Sequence, residues 1–93
     1  MEMNHLETGN AGTFYFEIAG KKVAEMTYSH PKPNMIIIEH TEVDESLKGQ
    51  GVGYKLIEQA ISFARKNNLK VEATCTYAKA ILTKKHEEFK DVL

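Results

Sequence analysis

The chain has 93 residues, 42% apolar and 27% charged, with a net charge of −1, enough for one domain with a modest core because small chains bury a smaller share of their surface. That charge balance offers no general affinity for nucleic acid or anionic membrane, and no apolar stretch approaches the roughly 20 residues needed to span a bilayer. A single cysteine, Cys75, excludes an internal disulfide, and the N-terminus has no basic-then-apolar leader pattern, so the expected setting is the reducing cytoplasm.

Residues 1–12 are polar, end in Gly9-Asn10-Ala11-Gly12 and carry no periodicity. They read as a flexible N-terminal arm in which His5 is solvated. From Thr13 the pattern alternates, with Phe14, Phe16 and Ile18 on one face of a strand. Ala19-Gly20-Lys21 makes a hairpin turn, and Lys22 to His30 returns with Ala24, Met26 and Tyr28 on one side. Pro31-Lys32-Pro33-Asn34 is the clearest break in the chain. The third strand, Met35 to Val43, opens with apolar residues on both faces, Met35 and Ile37 on one and Ile36 and Ile38 on the other. Such a pattern describes a central strand covered on both sides. Its second half, Glu39-His40-Thr41-Glu42, is polar: either a cleft opens there or the strand end simply reaches solvent.

After a polar turn, Asp44 to Leu47, glycines stand at 49, 51 and 53 and a helix begins among them. Val52, Leu56, Ile57, Ala60, Ile61, Phe63 and Ala64 recur at helical spacing, Arg65 and Lys66 suit the negative end of the dipole, and Asn67-Asn68 supplies a stop. A strand running through glycines into a helix start is anion-binding architecture, since glycine allows close backbone approach and free amides point outward. The competing reading makes the glycines devices for close helix–sheet packing. A dinucleotide fingerprint would need glycine at Tyr54 or Leu56, and a Walker loop would need Gly-Lys-Ser/Thr where Gly53 is followed by Tyr54-Lys55-Leu56; both fail. Leu69 to Thr74 then reads as a strand parallel to the third through a right-handed crossover. A last helix runs from about Tyr77 to Phe89, with Ala78, Ile81 and Leu82 as its apolar stripe. The order β-β-β-α-β-α gives an α/β (α+β) fold, a mixed sheet with helices packed on it, in one domain over residues 13–93. A lone cysteine with scattered histidines makes no zinc set, so no metal is expected.

The run Lys48-Gly49-Gln50-Gly51-Val52-Gly53 resembles the acyl-CoA signature of the GCN5-related N-acetyltransferases (GNAT), Arg/Gln-x-x-Gly-x-Gly/Ala, placed between a strand and a helix. His40-Thr41-Glu42-Val43, Cys75 and the tail His86 to Leu93 look like one small single-domain branch of that superfamily, and the resemblance covers roughly residues 13 to 93. It implies a minimal GNAT-like fold that binds acetyl-CoA as co-substrate. Lys48, Gly49, Gln50, Gly51, Val52, Gly53 and Tyr54 would then form the cofactor loop, the amides of 50–54 meeting the CoA pyrophosphate. Backbone at Glu42 and Val43 would pair with the pantetheine arm as an added strand does. The activity implied is acetyl transfer to an amine, a small molecule or a peptide. Lys48 stands where relatives carry Arg or Gln, keeping charge without the planar fork. Two helices that usually help form the acceptor site are missing, which leaves an open groove or a site completed by a partner protein.

Amine attack needs a base, and His40, Glu42 and Glu39 are the candidates; histidine is the side-chain type suited to proton transfer at neutral pH, while a histidine hydrogen-bonded in the sheet edge is the plainer reading. Cys75 falls at the end of the strand parallel to the third, where a thiolate would sit beside an acetyl thioester and take the acetyl group first; a small packing residue is the alternative. Tyr77 is either a donor to the CoA thiolate or a packing residue. Lys84, Lys85 and His86 are either a patch for the 3′-phosphate of CoA or a solvated helix face. Against an N-acetyltransferase stand a non-catalytic acyl-CoA sensor and Cys75-mediated acyl transfer.

Overall fold

The computed structural model describes residues 2–93. Five strands form one sheet in the order β1-β2-β3-β4-β5: β1 (Glu2–Thr8), β2 (Ala11–Ile18), β3 (Lys21–Lys32), β4 (Met35–Val43) and β5 (Lys70–Ala73). The first four are antiparallel neighbours, and β5 joins β4 in parallel after the crossover helix α1 (Val52–Asn67). Two shorter helices follow, α2 (Thr76–Lys84) and α3 (His86–Phe89), and 3-10 turns lie at Glu45–Leu47 and Lys90–Val92. This is the mixed α+β architecture expected from the sequence, with one more strand ahead of α1. Among the described residues no helix is long and apolar enough to cross a membrane.

Register explains the core. Phe14 lies opposite Met26, Phe16 opposite Ala24, and Tyr28 opposite Ile38, which with Ile36 and Val71 build one apolar face. The stripe of α1, Leu56, Ile57, Ala60, Ile61 and Ala64, is at most 1% exposed and belongs to the same core. Each buried Leu or Ile contributes about 1.5–3 kcal/mol, so this stripe rather than helix propensity holds α1 in place. The helix stops where Asn68 turns left-handed (φ 56°), its N–H returning to the Ala64 carbonyl. Between β2 and β3, Ala19 (φ 52°) and Gly20 (φ 79°) are both left-handed, the two-residue turn that matches strand twist.

The sequence reading needs correction in four places. Residues 2–8 of the expected arm are strand β1, paired along its length with β2; Met1 lies outside the described residues. Its side chains are mostly exposed because an edge strand is held by backbone pairing, which leaves no apolar period to read. His5 nevertheless stacks on Phe14 with centroids 4.1 Å apart and reaches the Tyr28 hydroxyl at 2.6 Å. Tyr28 in turn donates to Glu7 (3.0 Å), which also meets His30 (2.9 Å). Pro31 and Lys32 continue β3, leaving Pro33-Asn34 as the turn. Met35 and Ile37 are only half-buried, so β4 is fully covered on one face alone. Lastly, the terminal helix is interrupted at Lys85 (φ −103°, ψ 25°).

Candidate functional site

The site forms where β4 and β5 part. Their parallel pairing covers only Met35–Ile38 against Lys70–Ala73, and the Thr74 and Cys75 amides both turn onto the Ile38 carbonyl (2.9 and 3.2 Å). Beyond Ile38, β4 still pairs with β3 but has no β5 partner, which leaves a free backbone edge along residues 39–43. A register shift sits at the same point: Tyr28 pairs with Ile38 and Thr27 with His40, so Glu39 is the extra residue of a bulge. The bulge exchanges the faces. Thr41 and Val43, opposite Met26 and Ala24, continue the core side, whereas His40 and Glu42 turn to the other.

The glycine loop closes this cleft. Gly49 (φ 83°) and Gly51 (φ 72°) are left-handed, and nothing lies within 4 Å of where a Cβ would stand on either, so the backbone is open to a ligand. Gly51 is the N-cap of α1, no side chain caps the helix and no acidic residue occupies its first turn. The first helical bond runs from Lys55 N–H to Gly51 (3.1 Å), which leaves the Val52, Gly53 and Tyr54 amides without intrahelical acceptors. These groups and the dipole favour an anion at this point. Gly53 has a different role. A Cβ there would stand 2.5 Å from the Tyr77 hydroxyl oxygen, so this glycine makes room for the Tyr77 ring. Gly49 and Gly51 thus leave open backbone, whereas Gly53 is a packing position, against Tyr77 of α2 rather than against the sheet.

A cavity of about 480 Å³ results, walled by Thr41 and Val43, by Leu47 to Gly49, by Gly51 to Gly53 and by Tyr77. Of the expected loop residues, Gln50 and Tyr54 are not part of the wall, and the Gln50 amide donates to Leu47 (3.3 Å). Lys48 lines the cavity, with its ammonium 2.8 Å from Glu45. Tyr54 lies in the first turn beneath Lys85, whose Nζ is 5.8 Å from the ring centroid. Glu42 presents its backbone on the free edge, while its side chain and that of His40 are exposed on the far face, 3.8 Å apart and outside the cavity.

Cys75 is the N-cap of α2, with Sγ 3.5 Å from the hydroxyl of Thr41, which lines the cavity. Burial pushes its thiol up, but the Thr41 hydroxyl and the amides of Ala78, Tyr77 and Thr41 outweigh it, and the net shift is downward. Burial, then the neighbouring Cys75 charge, pushes the Tyr77 phenol up, so it keeps its proton and remains a donor. Thr41 escaped the sequence reading because strict alternation places it on the wrong face; only the bulge brings it to Cys75. Among the described residues no group of three or more His, Cys, Asp or Glu is placed to hold a metal ion.

The fold is thus a mixed α+β domain in which a free strand edge leads into a glycine-opened helix start. The sequence matches the pattern of the family described as GCN5-related N-acetyl-transferase over residues 13–92. The chain belongs to that family. It is 39% identical to a GCN5-like protein from Staphylococcus aureus solved by NMR, with a TM-score of 0.75 over 98% of this chain and 85% of that one. A GNAT family acetyltransferase from Elizabethkingia anophelis, solved with acetyl-CoA bound, has the same fold: TM-score 0.65 at 15% identity, over 83% of this chain and 53% of that one. Protein NATD1 of Homo sapiens is 30% identical over 54 residues, 58% of this chain and 48% of the human protein. The match thus spans about half the length of that curated relative.

Proposed function

We propose that the cavity binds acetyl-CoA and that the protein passes the acetyl group to an amine. The observation that carries this is the conjunction of open left-handed glycines at 49 and 51, unbonded first-turn amides and the free β4 edge. Amides of Val52, Gly53 and Tyr54 would hold the diphosphate, and the backbone of Thr41 to Val43 would pair with the pantetheine arm. This directs the thioester toward the end of the groove where Thr41, Cys75 and Tyr77 meet. Bound acetyl-CoA supplies the activated acyl group. Tyr77, which keeps its proton, is positioned as donor to the thiolate that leaves. His40 and Glu42 face away from the cavity, so either would act as base only through an intervening water. An unpaired thiol fits a cytoplasmic protein.

A second route has its own support in the lowered Cys75 thiol. Here Sγ attacks the thioester, CoA leaves as its thiol, and the amine takes the acetyl group from Cys75. Turnover of acetyl-CoA with a panel of primary amines tests the proposal. CoA release that depends on the amine supports it, and binding without turnover refutes transfer in favour of a sensing module. Intact-mass analysis during turnover separates the routes. A single added acetyl group, lost in Cys75→Ala, assigns the two-step path; an unmodified chain excludes it.

A further inference from the structure

Beyond the diphosphate, CoA carries a ribose 3′-phosphate, a separate phosphomonoester dianion. The first-turn amides would serve one anionic group, and a cation near the same turn, beyond the residues that line the cavity, would serve the second. Lys48 stands 2.8 Å from Glu45, and Lys90 stands 3.1 Å from Glu87. Lys85 differs from both. Its ammonium lies 5.8 Å from the ring centroid of Tyr54, in the first turn of α1, and no ion pair among the described residues includes it. The break between α2 and α3 puts it there. Lys85 leaves helical geometry (φ −103°, ψ 25°), with its amide bonded to Ile81 (2.9 Å) and its carbonyl accepting from Glu88 and Phe89 (3.0 and 3.1 Å). The backbone is thus pinned while the ammonium lies over the ring of Tyr54, a residue whose own amide belongs to the first turn of α1.

We infer that Lys85 is the subsite for the ribose 3′-phosphate of the cofactor, held ready by its contact with Tyr54. The inference rests on the cofactor reading above. Since a lysine–phosphate pair at an exposed rim is screened by solvent, the preference it confers is roughly fivefold and shrinks with added salt.

Calorimetric titration of the intact protein with CoA and with 3′-dephospho-CoA tests this, repeated for Lys85→Ala, Lys55→Ala and Lys84→Ala, with amide NMR reporting the glycine loop. The expected result is a roughly fivefold preference for CoA in the parent chain. That preference should disappear in Lys85→Ala, persist in Lys55→Ala and Lys84→Ala, and leave the affinity for 3′-dephospho-CoA unaltered. No preference in the parent chain, or a preference lost through Lys55 or Lys84 instead, overturns the inference while 3′-dephospho-CoA still shifts the loop. If neither ligand binds, the cofactor reading itself falls and the subsite falls with it.

Discussion

Replacing Gly53 by alanine tests whether the third glycine serves the ligand or the neighbouring ring. The added Cβ would stand 2.5 Å from the Tyr77 hydroxyl and 2.8 Å from the adjoining ring carbon, against an ordinary contact of 3.4–4 Å, so the ring must retreat by about 1 Å. Tyr77 is 43% exposed and can swing outward, which limits the loss to part of its packing, about 1–2 kcal/mol. Against this, alanine in place of glycine favours helix by up to about 1 kcal/mol. The net change in stability is then a loss of about 0–2 kcal/mol by urea denaturation. The informative quantity is the coupling. In a Tyr77→Ala background the clash is gone, so Gly53→Ala should stabilise the chain, giving a coupling of about 1–2 kcal/mol in the double-mutant cycle. Additivity within about 0.5 kcal/mol would refute the packing role.

Three further perturbations address other parts of the structure. Ala19→Asn places a residue that tolerates left-handed backbone at φ 52° and should raise the urea midpoint by an amount equivalent to about 1 kcal/mol; no change would mean the turn is unstrained. Thr41→Val removes a hydroxyl that favours the Cys75 thiolate, so the pH midpoint of iodoacetamide alkylation should rise, and an unchanged midpoint would deny the contact. The docking of β1 should weaken on acidification. His5, lowered by burial, favours its neutral form, and Glu7, lowered first by its hydrogen bond to His30, favours its charged form. Both unfolded groups bind protons more readily, so stability is full above the ordinary histidine value of 6.5 and declines below it, with the Glu7 share lost below 4.5. Amide protection factors of Met3 to Glu7 should fall between pH 7 and about 4 while those of α1 hold; a parallel fall in both would contradict a local lock.

Periodicity carried far in this chain. Strand β4 and the start of α1 lie where the apolar pattern placed them, because Ile36 and Ile38 of the one and the Val52, Leu56 and Ile57 stripe of the other are buried. β1 was illegible for the opposite reason: its stability comes from backbone pairing and from four polar residues, His5, Glu7, Tyr28 and His30, that meet only after folding. The bulge at Glu39 left no mark in composition, yet it decides that Thr41 rather than His40 faces the cavity. The helix break did leave a signal. Lys84-Lys85-His86 followed by Glu87-Glu88 is a cationic helix end running into an acidic helix start, the order the dipoles prefer.

The most direct measurement is a backbone-amide NMR titration with acetyl-CoA, with free CoA as the comparison. Both ligands should shift Val43 and Gly51 to Tyr54 most, and the acetyl group alone should add a response at Thr41, Cys75 and Tyr77. A glycine loop left unmoved at millimolar ligand would contradict the assignment and leave its glycines as packing and turn residues.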